Sequence, residues 1–449
     1  MDTIVAAATP SGRSAIAVVR LSGPTALDIA RLLVHDDSFS PRPNQVILKD
    51  LKTDDGAVMD QALVTFFKAP HSFTGEDMVE ISCHGSPVVV RRLLDRIQQL
   101  DGRLAGPGEF TLRACRNGKM NLSQAEAIRD LIDARTAAAA QLATRQLKGE
   151  LSNALSECKQ YLIDVIVKLE SALEFVEDDL PELQRMAVID ELAAVRSTVD
   201  QLAKSYESGH LVRDGLNVAF VGRPNVGKSS LFNKLLTRDR AIVTELPGTT
   251  RDSLTETIAL NGIPVTLTDT AGIREAGDRI EAIGVERTHR AMADADLLVV
   301  VLDGSTEIQA EDRRVLERAR AARHVVAVNK SDLVLRADPE EMLDGSKVVH
   351  VSAVTGGGLT DLSAAILEPF GSVDAESVGL LVTDSRHCDL LLRATAALEE
   401  SASLMRDGAS EELVLVGLHN ALRYLGEITG ETTTDEILGR IFSTFCIGK

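Results

Sequence analysis

Short runs of apolar residues, separated by polar and turn-forming residues, dominate the first quarter of the chain. Runs of this length that are rich in β-branched residues are typical of strands, whereas apolar residues three and four apart are typical of helices. Between Thr3 and Gly118 we identify three strand-like runs and one helical stretch, at residues 16–23, 62–70, 77–85 and 87–100. Residues 107–113, PGEFTLR, are interpreted as a closing turn. The pattern predicts an α+β domain over residues 1–118.

Helical periodicity then takes over, and it returns near the C-terminus. Ser123 and Glu126 form a capping-box pattern ahead of a long run rich in alanine and leucine. This run is interrupted near residues 178–181 and ends at Gly209. Further helical segments lie at residues 389–406, 413–428 and 435–445. The spacing predicts long antiparallel helices in both places.

A different texture separates the two helical regions. Five apolar runs alternate with helical segments, at residues 216–222, 265–272, 296–304, 324–332 and 347–354. Such alternation is the pattern of a doubly wound parallel sheet with helices on both faces. Because the ends of a domain often lie close together, we predict one discontinuous helical domain, residues 119–211 and 376–449, with an α/β domain inserted at 212–375.

Composition narrows the class of protein. The 449 residues carry a formal net charge of −19, which argues against a surface devoted to nucleic acid. We find no apolar stretch that approaches a membrane span, and the first residues lack the basic and apolar regions of a secretory signal. The five cysteines form no CxxC pair, so neither a disulfide framework nor a zinc site is expected. These features favour a cytoplasmic protein.

The segment GRPNVGKS, residues 222–229, is typical of a phosphate-binding loop, here called the P-loop. It follows an apolar run and opens a helical one, which is the context that such a loop requires. Gly222 and Gly227 let backbone N–H groups curl around phosphate oxygens. Lys228 brings a positive charge toward the outer phosphates, and the Ser229 hydroxyl can bind Mg²⁺.

Four further motifs follow in the order of a GTP-binding domain. They are Thr249-Thr250, Asp269-Thr270-Ala271-Gly272, Asn329-Lys330-Ser331-Asp332 and Ser352-Ala353. The Asp332 carboxylate can accept from both N–H donors of the guanine edge, and adenine offers no such pair. We therefore predict a GTP and GDP site. Its predicted contacts are Asn225, Val226, Gly227, Lys228, Ser229, Ser230, Thr244, Thr249, Thr250, Asp269, Thr270, Ala271, Gly272, Asn329, Lys330, Asp332, Ser352 and Ala353.

The group that would orient the attacking water is not evident from these motifs. In Ras-like GTPases a glutamine soon after the Gly272 position holds this water. Here Ile273 follows Gly272, and there is no glutamine between Ile273 and His289. Three carboxylates in the same stretch are candidates, and each could equally be a solvated residue on a helix surface. They are Glu275, Glu281 and Glu286.

With these motifs in this order, the chain resembles the MnmE (TrmE) family of bacterial tRNA-modification GTPases, a branch of the TrmE-Era-EngA-YihA-Septin-like P-loop GTPases. The resemblance spans nearly the whole chain. Its marks outside the GTPase motifs are Gly12-Arg13, residues 19–23, 75–77, Val79-Glu80, His84-Gly85, 107–110, 117–119, 124–126 and the C-terminal FCIGK at 445–449.

The resemblance implies an activity and partners. Family members have a folate-binding-like N-terminal domain that also dimerises, a helical domain and an inserted Ras-like G domain. They hydrolyse GTP and, with the FAD-dependent partner MnmG in a heterotetramer, add an aminomethyl or carboxymethylaminomethyl group at C5 of the wobble uridine of certain tRNAs. The one-carbon unit comes from 5-formyl- or methylene-tetrahydrofolate, and tRNA is expected to bind mainly through the partner.

The resemblance also assigns residues. It implies folate contacts at Arg20, Glu80, Lys119 and Lys449. A carboxylate suits the pterin edge and cations suit the glutamyl tail, although the same residues could form ordinary surface ion pairs. The implied catalytic residues are Glu281, Cys446 and Lys228. The implied metal ligands are Ser229 and Thr250 for Mg²⁺, and Asn225, Thr244, Leu246 through its carbonyl and Thr249 for K⁺.

Cys446 allows other interpretations. It follows an amphipathic segment, so it could be a core cysteine, and CIGK has the frame of a prenylation box. Gly448 is not aliphatic, which argues against prenylation. The chain departs from the usual family residues at Cys83, Cys115, Arg116 and Asn121, and these departures affect the details of the expected folate pocket.

Two other classes of function compete with this prediction. A GTP-driven switch in the assembly of an RNA particle such as the ribosome would bind RNA and catalyse nothing on it. Proteins of that class usually carry a basic appendage, whereas this chain has acidic helical flanks and folate-type motifs. A membrane-recruited switch would need a basic amphipathic helix or a lipidation signal, and we find neither.

Overall fold

The computed structural model describes residues 2–174, 182–239, 254–269, 292–336, 346–371, 379–432 and 434–448. The chain divides into two compact units. The first combines residues 1–129 with residues 426–449, and the second consists of residues 130–425. The first unit is therefore built from both ends of the chain.

Helices account for much of the described chain. In chain order they are α1 Ala26–Val34, α2 Pro87–Gln99, α3 Glu109–Arg116, α4 Leu122–Asp133, α5 Ala137–Leu147, α6 Glu150–Glu174, α7 Glu182–Lys204, α8 Tyr206–Asp214, α9 Lys228–Asp239, α10 Ala310–Ala319, α11 Leu359–Leu367, α12 Ser385–Arg406, α13 Glu411–Thr429 and α14 Asp435–Phe442. No helix in this described part is long and apolar enough to cross a membrane.

The first unit contains a six-stranded mixed sheet. Its strands are β1 Ile4–Ala7, β2 Ile16–Ser22, β3 Val46–Lys52, β4 Val58–Phe67, β5 Met78–His84 and β6 Arg103–Leu104. The order across the sheet is β3-β4-β5-β2-β1-β6, and only β1 and β6 pair in parallel. Alternation along β2 buries Val19 and Leu21 in the core formed with α1 and α2. Arg20 consequently lies on the opposite face.

Two local predictions for this unit were wrong. The segment interpreted as a turn at 107–113 mostly forms α3, because Gly108 takes a left-handed conformation (φ 63°) and starts a helix immediately after itself. The capping box lies two residues earlier than Ser123 and Glu126. The Asn121 side chain accepts from the Gln124 amide at 3.0 Å, and Gln124 accepts from the Asn121 amide at 3.0 Å.

The C-terminal segment completes the first unit. Phe442 and Phe445 pack with Leu122 and Ala125 in one buried cluster. Beyond them, Ile447 forms a β-bridge with Pro107, and the Cys446 carbonyl accepts from the Gly108 amide at 3.4 Å. The predicted last helix ends at Phe442 rather than at residue 445, because residues 443–448 leave helical geometry to make these contacts.

The second unit contains the predicted α/β sheet. Its strands are β7 Leu216–Val221, β8 Leu254–Leu260, β9 Ile263–Asp269, β10 Leu297–Asp303, β11 His324–Asn329 and β12 Lys347–His350. The order is β12-β11-β10-β7-β9-β8, and all neighbours are parallel except the β8–β9 hairpin. Every residue of β10 is buried, and apolar clusters cover both faces of the sheet. The doubly wound, Ras-like arrangement of the inserted domain is confirmed.

Long helices make up the rest of this unit, and α7 packs along α12. Gly209 does not end the preceding helix as predicted, because it lies inside α8. A Cβ atom at Gly209 would stand 2.0 Å from the Val382 carbonyl oxygen, so glycine permits a close approach of two backbones. Sequence reasoning mistook a packing glycine for a helix stop.

A network of charged side chains ties the start of the chain to α3. The Arg113 guanidinium, 8% exposed, donates to the Asp2 carboxylate at 2.7 Å, to Glu109 at 3.1 Å and to Glu76 at 3.2 Å. Hydrogen bonds from Arg103, and to a lesser degree from Arg113, hold the pKa of Asp2 below its usual range. Burial acts to raise the pKa of Glu109, but the two arginines and the Gly106 amide lower it overall.

We predict that Arg113→Ala destabilises the first unit by about 3–5 kcal/mol at neutral pH, because it removes the arginine that pairs with the nearly buried Glu76 and one of the two arginines that pair with Asp2 and Glu109. Hydrogen exchange of the β1 and β2 amides in the full chain measures this free energy. Asp2 and Glu109 have lowered folded-state pKa values. Their contribution to stability is therefore present above the unfolded pKa values and is lost as pH falls through the folded ones. The difference between parent and variant should therefore shrink on acidification. Arg91→Ala, which breaks an exposed pair with Asp95, is the control; an equal effect of both variants would contradict this account.

Candidate functional site

The P-loop connects β7 to α9, and its backbone geometry permits only certain residues. Gly222 (φ 154°) could not carry a Cβ atom, which would stand 2.4 Å from the Val301 carbonyl oxygen. A Cβ at Gly227 (φ 96°) would stand 2.2 Å from Asn329 Nδ2. Asn225 between them has φ 65°, a left-handed value that asparagine tolerates. The loop is therefore fixed by its contacts with two neighbouring strands.

Lys228 is the first residue of α9, and its ammonium group turns back over the P-loop. Nζ donates to the carbonyl oxygens of Gly222 at 2.8 Å and Arg223 at 2.9 Å, and the side chain is buried. Ser229 and Ser230 follow in the first turn and are exposed. The N-terminus of α9, with its positive dipole end and this lysine, is suited to bind the phosphates of a nucleotide.

Asn329, at the end of β11, joins the P-loop to the predicted guanine-binding residues. Its side-chain Nδ2 donates to the Val226 carbonyl at 2.9 Å, and its Oδ1 accepts from the Ala353 amide at 3.1 Å. Ser352 donates to the Asp332 carboxylate at 2.5 Å, which orients this exposed group. The structure thus brings together predicted contacts from three separate segments.

Residues that the sequence analysis missed support this arrangement. Lys330 donates to Asp303 at 2.6 Å, and Ser305 donates to the same carboxylate. Burial acts to raise the pKa of Asp303, but these donors lower it overall. Arg223 of the P-loop pairs with the buried Asp312 of α10 at 3.1 Å. The one sign of these ion pairs in the sequence was Asp303, the aspartate that ends the apolar run of β10.

Several predicted site residues lie outside the described part of the chain. They are Thr244, Leu246, Thr249, Thr250, Thr270, Ala271, Gly272, Glu281 and Lys449, together with the alternatives Glu275 and Glu286. Asp269, the last residue of β9, is described and is buried. Of the expected metal ligands, only Ser229 and Asn225 are described. Within the described ranges, no group of three or more His, Cys, Asp or Glu residues is placed to hold a metal ion.

Arg20 and Glu80, two of the predicted folate contacts, face each other on adjacent strands of the first unit. They are register partners on β2 and β5, and Arg20 Nη2 lies 2.8 Å from Glu80 Oε1. The guanidinium also lies over the rings of Phe73 at 5.4 Å and Phe110 at 5.8 Å. The side chains are 17% and 25% exposed, so the pair forms a charged, partly open surface backed by aromatic rings.

The third predicted folate contact and the C-terminal tail border the same region. Lys119 Nζ donates to the Pro70 carbonyl at 3.0 Å, and its stem lies beside Gly75, two residues after Phe73. Gly448 (φ 97°) is seated on β1, where a Cβ atom would stand 2.4 Å from the Ala7 carbonyl oxygen. Ala7 is one rung from Arg20 in the sheet. Gly448 therefore lies on the strand that pairs with β2, the strand that carries Arg20.

The cysteines of this unit differ in character. Cys446 is exposed, which does not fit the alternative of a core cysteine. Burial, together with the nearby Glu126 carboxylate, raises the pKa of Cys115 to about 12, so that thiol stays protonated at neutral pH. Burial also raises the pKa of Cys83. Of these three cysteines, Cys446 alone is exposed.

Comparison with known proteins agrees with this arrangement. The family model of the MnmE helical domain matches residues 122–446, and that of the GTP-binding protein TrmE N-terminus matches residues 3–119. The tRNA modification GTPase MnmE of Aquifex aeolicus is 45% identical over 449 residues and covers 100% of both chains. That of Koribacter versatilis is 44% identical over 456 residues, covering 100% of this chain and 99% of its own.

Solved structures add no argument. The G domain of the T. maritima FeoB iron transporter is 27% identical, covers 34% of this chain and 97% of its own, and has a TM-score of only 0.27. The assignment depends instead on the two family models and on relatives matched from end to end. These, with the P-loop and the motifs assembled around Asn329, establish that the chain belongs to the MnmE (TrmE) family of tRNA modification GTPases.

Proposed function

We propose that this GTPase acts with an FAD-dependent, MnmG-type partner to add an aminomethyl or carboxymethylaminomethyl group at C5 of the wobble uridine of certain tRNAs. The one-carbon unit is drawn from 5-formyl- or methylene-tetrahydrofolate, bound to the N-terminal domain at 1–118. The G domain occupies 212–375 between the helical segments 119–211 and 376–449. The chain forms a homodimer and, with the partner, a heterotetramer.

The observation that carries this proposal is the position of the C-terminal tail. Gly448 lies on β1, so the exposed Cys446 belongs to the same compact unit as Arg20 and Glu80. A GTPase that only switches an assembly step has no need for an exposed thiol in the unit that carries a partly open charged pair. A unit that binds a one-carbon donor and presents it to a reaction has a use for both.

The residues around Arg20 fit a folate. A pterin is flat and aromatic, and Phe73 and Phe110 already stack a planar guanidinium on this face. The Glu80 carboxylate can accept from the amino and N–H donors of a pterin, as it now accepts from Arg20. Lys119 and Lys449 are the cations for the glutamyl carboxylates. Tetrahydrofolate supplies the one-carbon unit, and these side chains bind and orient it.

In the nucleotide site, Lys228 binds the outer phosphates and Asp332 reads guanine. Ser229 and Thr250 would hold Mg²⁺. Asn225, Thr244, Leu246 and Thr249 would hold K⁺, which would supply positive charge beside the phosphates, as an arginine does in other GTPases. Glu281 orients the attacking water. The net charge of −19 disfavours extensive contact with tRNA, so the partner provides most of that interface.

The first prediction tests folate binding. The full chain is used, because residues 426–448 pack into the first unit. Tetrahydrofolate should bind the parent, and Glu80→Gln should weaken binding by about tenfold or more through loss of a charge-assisted pair. Asp95→Asn, the corresponding change of an acid to its amide at an exposed ion pair in this unit, is the control. Calorimetry that detects no folate binding to the parent would favour the assembly-switch class.

The second prediction tests base recognition. Asp332→Asn replaces the acceptor that Ser352 orients, so GTP binding should weaken by roughly 2–4 kcal/mol. The variant should gain affinity for xanthosine triphosphate, whose base offers the complementary pattern. Competition binding with both nucleotides measures the change. Unchanged GTP affinity would show that another residue reads the base.

The third prediction tests the water-orienting carboxylate. Because phosphoryl transfer depends on positioning more than on deprotonation, Glu281→Ala should lower turnover by roughly 10²-fold or more. GTP affinity should stay within about a few-fold of the parent. Single-turnover hydrolysis with K⁺ and Mg²⁺ present gives both quantities. Glu275→Ala and Glu286→Ala are the matched controls with milder effects. If Glu281→Ala keeps the parent rate, the assignment fails and Glu275 is the next residue to test.

A further inference from the structure

Arg223 is the second residue of the P-loop, and its side chain is held by several groups. Nε donates to both carboxylate oxygens of Asp312 at 3.1 Å, and Nη2 donates to the Thr306 hydroxyl at 2.8 Å. Nη2 also lies 3.9 Å from Asp303. All three partners belong to one segment, residues 303–312, which runs from the end of β10 into α10. We call this segment the brace.

Asp312 has a second task within the brace. It is the third residue of α10, and its Oδ2 also accepts from the Gln309 amide at 3.0 Å, which completes a capping box. The carboxylate is 3% exposed, whereas the neighbouring Glu311 is exposed. One buried group therefore fixes both the start of α10 and the guanidinium of the P-loop.

The other end of the brace is bound to residues 329–332, the guanine loop. Lys330 donates to Asp303 at 2.6 Å. The Gly304 amide donates to the Asn329 carbonyl at 2.8 Å, and the Gly304 carbonyl accepts from the Arg336 amide at 2.8 Å. A Cβ atom at Gly304 would stand 2.9 Å from the Asn329 carbonyl oxygen, so glycine allows this close approach.

We propose that the brace positions the P-loop against the guanine loop, and that Arg223 is the positioning residue through which it acts. This inference rests on the proposed nucleotide site. The Arg223 carbonyl accepts from the Lys228 ammonium at 2.9 Å, so fixing Arg223 also fixes the backbone around the phosphate-binding lysine. Without the brace, the P-loop must be ordered when the nucleotide binds, and that entropy is lost from the affinity.

The brace holds the side chain of Arg223 and leaves the attacking water to other residues. Losing it should therefore weaken GDP and GTP to the same extent, and should change turnover at saturating GTP only slightly. If the brace had only a structural role, its loss would lower thermal stability and would not weaken nucleotide affinity more than it changes turnover. The ratio of the two effects is the diagnostic quantity.

Asp312→Asn in the full-length protein is the primary test. Asparagine keeps an oxygen acceptor for the Gln309 amide but loses the charge that pairs with Arg223. The dissociation constant of fluorescent GDP should rise about tenfold or more, with turnover at saturating GTP within about threefold. Glu311→Gln, the same change one residue earlier, should alter GDP affinity by less than about twofold. Equal GDP affinity in Asp312→Asn and the parent overturns the inference.

Arg223→Lys provides a second, conservative variant that keeps the charge but not the planar fork. It should weaken GDP binding when Asp312 is present and add no further loss in the Asp312→Asn background. Additive losses of affinity would mean that Arg223 and Asp312 act separately, and this result would overturn the inference. If the parent itself binds no guanine nucleotide, the proposed nucleotide site fails and the brace fails with it. If the parent binds and both variants bind equally well, the brace alone fails.

Discussion

The nucleotide site depends on two hydrogen bonds made by the side-chain amide of Asn329. It stands where β11 ends, and the sheet order places β10 and then β7 beside it, so its two polar atoms reach both the P-loop and the Ser352-Ala353 segment. The carboxyl ends of parallel strands meet at one edge, which is where open α/β sheets bind ligands. An amide suits this position because it donates in one direction and accepts in the other.

Charge is used differently in the two compact units. Around the P-loop, buried carboxylates at 303 and 312 partner cations that belong to loops, so loop geometry is set by ion pairs. In the first unit, Arg113 and its carboxylates join the chain start to α3, while Arg20 and Glu80 remain partly open. Buried pairs define the fold, whereas the open pair keeps polar atoms accessible to a ligand.

Sequence reasoning located the motif-bearing loops because their chemistry requires particular residues at particular spacings. It did not find Asp303, Asp312 or their arginine, since their pairing depends on which strands lie side by side. The capping box was placed at Ser123 rather than Asn121 because both residue types cap helices, and only backbone geometry distinguishes them. Gly209 was taken for a helix stop because its close packing against Val382, far away in sequence, leaves no local signal. Interactions between residues distant in sequence were thus the part that pattern alone could not give.

The first unit is assembled from the two ends of the chain, and this has a consequence for biosynthesis. A ribosome synthesises the sheet and its two covering helices first, and the segment that covers Leu122 and Ala125 follows only after residues 130–425. Between these events the whole 130–425 unit must be made. The apolar patch around Leu122 and Ala125 therefore stays uncovered while residues 130–425 are synthesised. Covering it requires a contact between residues more than three hundred positions apart in sequence. Folding of the first unit is thereby coupled to synthesis of residues 426–449.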